Sequence, residues 1–405
     1  MKRYVFNLTV IMFIIIGGML HSQTPPADTI KQLTSAQMDN ARKAVLADEK
    51  SYEAALKKVR EVGKLSKSAV EDFIKKFSYN YQAQKGGVVQ KTVKITPPQA
   101  GRYNLSIPAA YDQKKSWPLI ISLHGAGGNG NDEYKWLWSA HAKKWNGFVA
   151  SPSGEPAGAQ WMPQEEFVLA VYKDVINTYN INTNCVYIHG FSNGGNGAWF
   201  YSIYYPWLFG AACPRSGGCP APVALPNLLN VGMYITHGEK DGVIQCQHDR
   251  NCVETLKKLG YDCVYVEVPD GDHEPFLNET PKIIEYFNKH PRNPWPKKIV
   301  FLSKEDKPAR AYWIEASKTS RYFSIEAQVQ EGNKIVITCK EKPDEIIIHL
   351  SDALVDLDKP VVVSLNDNEV HNGLLTRSLE NLVTDLRQYH DINTASCAQL
   401  KIEVK

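Results

Sequence analysis

The stretch CVYIHGFSNGG, from Cys185 to Gly195, decides how the rest of the chain is read. CVYIH is an apolar run of the kind that fills a strand covered on both faces. Gly190-Phe191-Ser192-Asn193-Gly194 follows it with the spacing G-x-S-x-G, and the sequence beyond, GGNGAWFYSIYY, can open a helix. A strand that turns sharply into a helix strains the backbone at the bend, and glycines on either side remove side chains that would collide there. That geometry lifts the hydroxyl of Ser192 above the end of a sheet as a candidate nucleophile. It also aims the amide of Asn193, at the positive end of the new helix, toward the place where an oxyanion would form. A glycine-rich turn with an incidental serine is the plain alternative, so the partners of such a serine must be sought elsewhere.

Three more loops supply candidates. His124-Gly125-Ala126-Gly127-Gly128 directly follows the apolar run PLIISL. Glycine-rich backbone there can turn its amides inward, and Gly125 or Ala126 is the candidate second oxyanion donor. His124 precedes the serine and stands at a strand end, so it reads as a shaper of the loop. No G-K-[ST] follows, which argues against a phosphate cradle. His237-Gly238-Glu239-Lys240-Asp241-Gly242-Val243 follows the strand-like MYIT. A carboxylate there can accept Nδ1–H of a histidine and fix its tautomer. Asp241 is the candidate and Glu239 the runner-up, against a plain turn residue beside Gly242. Asp270-Gly271-Asp272-His273-Glu274-Pro275-Phe276 comes after VYVEV. His273 on that loop can fold back over the serine as general base. His248 and His290 compete with it, but both lie in helical stretches where a surface histidine is the ordinary explanation. The order Ser192, Asp241, His273, each just past an expected strand, is the order for a nucleophile elbow of this kind.

From about Gly86 strands and helices alternate. VVQKTVKI and RYNLSIP suggest an early hairpin; PLIISL, GFVASPSG, CVYIH, GMYITHG and CVYVEVP read as strands. NDEYKWLWSAHAKKW, EEFVLAVYKDVINTYN, CQHDRNCVETLKKLG and PKIIEYFNKH read as helices. The alternation predicts an α/β fold, a doubly wound and mostly parallel sheet, over residues 86–292. Ahead of it, in residues 23–85, the stretch 27–78 is rich in Ala, Lys, Glu and Leu with helical apolar spacing, and Gly63 is expected to break it into an antiparallel pair. PRNPWPKK, Pro291 to Lys298, marks a boundary. Residues 293–405 then read as a small β-rich domain, a sandwich, with one helix at SLENLVTDLRQYH.

The 405 residues carry 43% hydrophobic and 22% charged residues with a net charge of +3, enough for a sizeable core and too balanced to suggest nucleic acid. Lys2 and Arg3 precede an apolar run from Tyr4 to Leu20, the pattern of a signal peptide over residues 1–22. An uncleaved anchor is the alternative, and no other segment is long and apolar enough to span. The expected location is secreted, periplasmic or cell-surface. Eight cysteines suit that setting. None forms a CxxC pair, which argues against a metal site. Cys213 with Cys219 and Cys339 with Cys397 are candidate disulfides, and Cys185 reads as a strand residue.

HGAGG, GFSNGG, HGEKDGVI and GDHEPF together resemble the esterase branch of the α/β-hydrolases, near the polyhydroxybutyrate depolymerases, feruloyl esterases and acetylxylan esterases. The resemblance covers residues 86–292. It departs from that group at Pro275, where many relatives carry tryptophan. It implies acyl transfer to water by Ser192, His273 and Asp241, an oxyanion site from Asn193 with Gly125 or Ala126, and no metal or organic cofactor. The implied partner is an ester, with polysaccharide-borne, polyester and lipid esters all open. Trp136, Trp138, Trp161 and Trp199 could stack on sugars, although core packing is the commoner use of tryptophan. A peptidase using the same triad, of the prolyl oligopeptidase kind, and a binding protein that kept the fold are the rivals. Ester against peptide turnover separates the first, and any turnover at all separates the second.

Overall fold

The computed structural model describes residues 29–95, 100–153, 161–304, 310–316, 322–341 and 343–404. The expected signal peptide lies outside them.

Three helices, not a pair, come first: α1 (Ser35–Leu46), α2 (Glu49–Arg60) and α3 (Lys67–Lys76). Gly63 separates α2 from α3, and Asp48 makes the boundary that the composition hid. Its carboxylate accepts the amide of Ser51 at 2.8 Å and starts α2. A side-chain cap of this kind is worth about 1 kcal/mol.

The central sheet has eight strands: β1 (Gly87–Lys94), β2 (Ala100–Ile107), β3 (Trp117–Leu123), β4 (Phe148–Pro152), β5 (Ile181–Phe191), β6 (Ala211–Arg215), β7 (Gly232–Gly238) and β8 (Cys263–Val268). Their order is β1-β2-β4-β3-β5-β6-β7-β8. β1 and β2 form the expected hairpin, β2 also runs antiparallel to β4, and every other pairing is parallel. The helices between them are α4 (Gly130–Glu133), α5 (Ala142–Trp145), α6 (Glu165–Thr178), α7 (Asn193–Tyr204), α8 (Gln247–Lys258) and α9 (Thr280–Lys289). The stretch expected as one helix after β3 is broken into α4, a π-turn over Tyr134–Trp138, a 3-10 turn and α5. Parallel strands buried on both faces leave each side chain on one face or the other. Leu119 and Ile121 accordingly join one apolar cluster, and Ile120 between them joins the other.

Beyond α9 come β9 (Lys298–Lys304), β10 (Arg310–Ala311), β11 (Ile314–Ala316), β12 (Tyr322–Gln330), β13 (Lys334–Lys340), β14 (Glu345–Leu350), β15 (Val361–Leu365), β16 (Asn368–Gly373), α10 (Leu379–Tyr389) and β17 (Ala398–Glu403). They form a sheet ordered β16-β15-β13-β12-β9 and another ordered β10-β11-β14-β17. One apolar cluster runs from Phe73 of α3 through Ile188 of β5 to Trp313, Ile337 and Ile402 of these sheets. Polar groups close the junction. Arg292 is buried, donates to Asp391 Oδ2 at 2.7 Å and to the carbonyl of Trp207 at 2.6 Å, and Thr183 Oγ1 donates to Asp391 Oδ1 at 2.6 Å.

Neither expected disulfide forms. Cys213 packs in the cluster with Ile120 and Tyr187, whereas Cys219 packs against the cluster on the other face of the sheet. The sulfur of Cys397 faces the carbonyl of Leu350 at 3.7 Å, and Cys339 stands in the other C-terminal sheet. Cys219 instead lies beside Cys252 of α8. Cys185 is a half-buried residue of β5.

Candidate active site

Ser192 stands at the bend between β5 and α7 with φ 56° and ψ −118°. A non-glycine residue there is strained and needs its surroundings to hold it. Its amide donates to the carbonyl of Arg215 at 2.9 Å, and its carbonyl accepts the amide of Asn196 at 3.0 Å. The flanking glycines are steric requirements. A Cβ on Gly190 would lie 2.0 Å from the carbonyl oxygen of Gly194, and one on Gly194 would lie 1.9 Å from that of Leu123.

The bend brings the serine to a histidine from a distant loop. His273 Nε2 lies 2.8 Å from Ser192 Oγ, and its Nδ1 lies 2.7 Å from Asp241 Oδ2. Asp241 Oδ1 accepts the amides of Val243 and Ile244, each at 2.8 Å. Burial works against ionisation of this carboxyl, yet the bonds from His273, Ile244 and Val243 outweigh it and hold its pKa below the ordinary value. The histidine loop is pinned from β6: Arg215 Nη1 donates to the carbonyl of Pro275 at 2.8 Å and Ser216 Oγ to that of Glu274 at 2.7 Å. Asp272 Oδ1 accepts the amide of His273 at 2.8 Å.

The glycine-rich loop after β3 abuts Ser192. A Cβ on Gly125 would lie 3.4 Å from Cβ of Ser192. Asn193 is the first residue of α7. His124 is buried, edge-on to Trp161, with Nδ1 2.7 Å from the carbonyl of Gly125. It holds the loop and does not reach the serine. Glu239 accepts the amide of Asp270 at 3.0 Å instead of meeting His273. His290 bonds Asp262 at 2.8 Å and stacks on Tyr286, and His248 is exposed on α8.

The structure gives roles to residues for which the sequence suggested none. Arg215 ends, and Ser216 follows, a strand too short and too broken by Cys213 and Pro214 to be recognised. His237, the last residue but one of β7, is fully buried behind Asp241, and its Nδ1 lies 2.8 Å from Asp249 Oδ2 on α8. Beneath the glycine-rich loop, Ser122 Oγ donates to Glu133 Oε1 at 2.7 Å, accepts from Trp138 Nε1 at 2.8 Å and lies 2.9 Å from His189 Nδ1. Burial pushes the Glu133 carboxyl up to about 8 and holds the His189 imidazole well below its ordinary value, so this cluster is neutral. Among the described residues, no group of three or more His, Cys, Asp or Glu side chains could hold a metal ion. No helix among them is long and apolar enough to cross a membrane.

Residues 166–291, which include the elbow, the acid and the histidine loop, match the family described as Phospholipase/Carboxylesterase. No curated protein matches the chain. Among solved structures, a thermostable esterase is 24% identical with a TM-score of 0.46, over 51% of this chain and 63% of that one. The S-formylglutathione hydrolase FrmB from Staphylococcus aureus is 15% identical with a TM-score of 0.41, over 50% of this chain and 99% of that one. The CE1 ferulic acid esterase AmCE1/Fae1A from the anaerobic fungus Anaeromyces mucronatus is 15% identical with a TM-score of 0.43, over 53% of this chain and 93% of that one. The chain thus spans about 63% of the length of the thermostable esterase. Its central region has the α/β-hydrolase fold and is similar over residues 166–291 to the phospholipase/carboxylesterase family.

Proposed function

We propose that this protein is an exported serine esterase that cleaves carboxylic esters through an acyl-enzyme. The observation that carries the reading is the unbroken hydrogen-bonded chain from the strained Ser192 through His273 to Asp241. In its neutral form His273 accepts the Oγ proton at Nε2 while Oγ attacks the ester carbonyl carbon. Asp241 keeps hydrogen on Nδ1 and stabilises the imidazolium that results. The carbonyl oxygen becomes an oxyanion that accepts from the amide of Asn193 and from that of Gly125 or Ala126. Loss of one such donor costs roughly a hundredfold or more in turnover. The alcohol leaves with the proton from His273. Water, deprotonated by the same nitrogen, then releases the acid and restores the serine.

An aromatic-bearing ester suits the surface beside the triad. Trp136, on the π-turn after the glycine-rich loop, is 52% exposed and meets Phe191 edge-on at 5.7 Å, and Phe191 lies 5.1 Å from the ring of His273. The exposed Trp136 ring, backed by the half-buried Phe191, offers a face to a hydroxycinnamoyl group or a sugar. The leader pattern at residues 1–22 supports export, where esters borne on polysaccharide are accessible.

The test is hydrolysis of p-nitrophenyl acyl esters and methyl hydroxycinnamates by the chain from Gln23 onward, beside Ser192→Ala. Turnover that vanishes in the variant supports the esterase. Activity that survives in it, or a preference for peptide substrates, overturns the reading.

A further inference from the structure

We propose that His237 and Asp249 form a second histidine–carboxylate pair that positions Asp241 and sets the proton affinity of the catalytic histidine. The proposal rests on the Ser192–His273–Asp241 reading. Three elements converge to build it. His237 comes from the end of β7, Asp241 from the loop that follows, and Asp249 from the first turn of α8. His237 Nε2 lies 2.8 Å from the carbonyl oxygen of Ile244 and 3.3 Å from Asp241 Oδ2. Its Nδ1 lies 2.8 Å from Asp249 Oδ2, and Asp249 Oδ1 accepts Trp199 Nε1 at 3.1 Å. The side chains of His237, Asp241 and Asp249 are all fully shielded from solvent.

The acceptors fix the protonation. A carbonyl oxygen cannot donate, so Nε2 of His237 must carry hydrogen. Nδ1 faces a carboxylate and shares a second proton with it. Burial opposes an imidazolium, but the bond to Asp249, the carbonyl of Ile244 and the charge of Asp241 together raise the His237 pKa above its ordinary value. Burial raises the Asp249 carboxyl as well, so the second proton is shared between the two groups, and the Nε2–H of His237, 3.3 Å from Asp241 Oδ2, presents positive charge to that carboxylate.

Two consequences follow. The Ile244 carbonyl is held on the same loop whose amides grip Asp241, so the pair fixes the carboxylate that orients His273. The positive end of that N–H also offsets part of the charge that Asp241 presents to His273. The other titratable groups around the pair are Glu267 of β8, which is itself engaged by Arg250 at 2.7 Å, Tyr265 and Cys263 of the same strand, His248 beside Asp249, the thiols of Cys219 and Cys252 near Asp249, and Cys246 near Asp241.

Asp249→Asn separates charge from shape. The new amide oxygen can still accept from Trp199 and the amide N–H can donate to Nδ1, so His237 keeps its Nε2 hydrogen but loses the shared second proton. With a p-nitrophenyl ester and a folded protein of wild-type circular dichroism, the acid limb of kcat/KM moves to higher pH by roughly half a unit. His237→Gln, which also breaks the grip on the loop, lowers kcat about tenfold or more with little change in KM. An unshifted limb in Asp249→Asn with wild-type kcat overturns the proposal. Should Asp249→Asn fail to fold, nitrogen-15 histidine spectra of the wild type at pH 7 decide, because an unprotonated Nε2 on His237 also overturns it. Ser192→Ala run alongside keeps the two readings apart. If it abolishes turnover while Asp249→Asn changes nothing, the triad stands and only this proposal falls.

Discussion

At the scale of single residues, Asp241 tests the triad most sharply, because replacing it by asparagine keeps the loop amides satisfied and changes what His273 Nδ1 and, at 3.3 Å, His237 Nε2 meet. Asp241→Asn should lower kcat by about three to four orders of magnitude on a p-nitrophenyl ester, with the wild-type circular dichroism spectrum retained. Glu133 gives a stability prediction. Its folded pKa of about 8 lies above the unfolded value near 4.5, so the folded state holds a proton that the unfolded chain releases across that window. The contribution is fully present below pH 4.5 and is lost as pH rises through 8. Thermal melts from pH 5 to 9 should show stability falling over this range in the wild type, and a flatter profile in Glu133→Gln. Ser192, Asp241 and His273 were legible because each follows an apolar run and sits among glycines or acids. His237 stood inside a quoted motif with no visible role, and Asp249 looked like one more acid on a charged helix. Their pairing depends on the angle at which α8 returns to β7, which spacing alone does not encode.

Among the elements, the parallel strands were readable where apolar runs were long, as in PLIISL and CVYIH. β6, with only five residues broken by Cys213 and Pro214, gave no such run, and with it went Arg215 and Ser216, which pin the histidine loop. The segment after the glycine-rich loop carried helical residues but folds as α4, a π-turn and α5. Side chains of Trp138 and Glu133 must point down to Ser122 while Trp136 stays outside, and one regular helix cannot serve both demands. Trp136→Ala should raise KM for methyl hydroxycinnamates several-fold while leaving short acyl esters little changed, as measured by parallel Michaelis curves. Equal effects on both would show that the ring braces the loop instead of meeting substrate.

Across the whole molecule, the N-terminal helices, the central sheet and the C-terminal sheets share one apolar cluster. The clasp of Arg292, Asp391 and Thr183 lies within that junction. Asp391→Ala leaves a buried guanidinium without its counter-charge, which costs about 3–5 kcal/mol. Its melting temperature should fall by several degrees in calorimetry, although the change lies outside the triad. The sequence showed the β-rich tail but not this union, since long-range contacts leave no local pattern. A last consequence concerns Ser192 and its φ of 56°. Ser192→Gly relaxes that backbone, and after the added freedom of the unfolded chain the fold should gain on the order of 1 kcal/mol. Heat tolerance and turnover are therefore opposed at one atom group. A laboratory evolution that selected only for survival at high temperature would drift toward erasing the proposed nucleophile, and screens for robust variants of this protein need an activity gate from the first round.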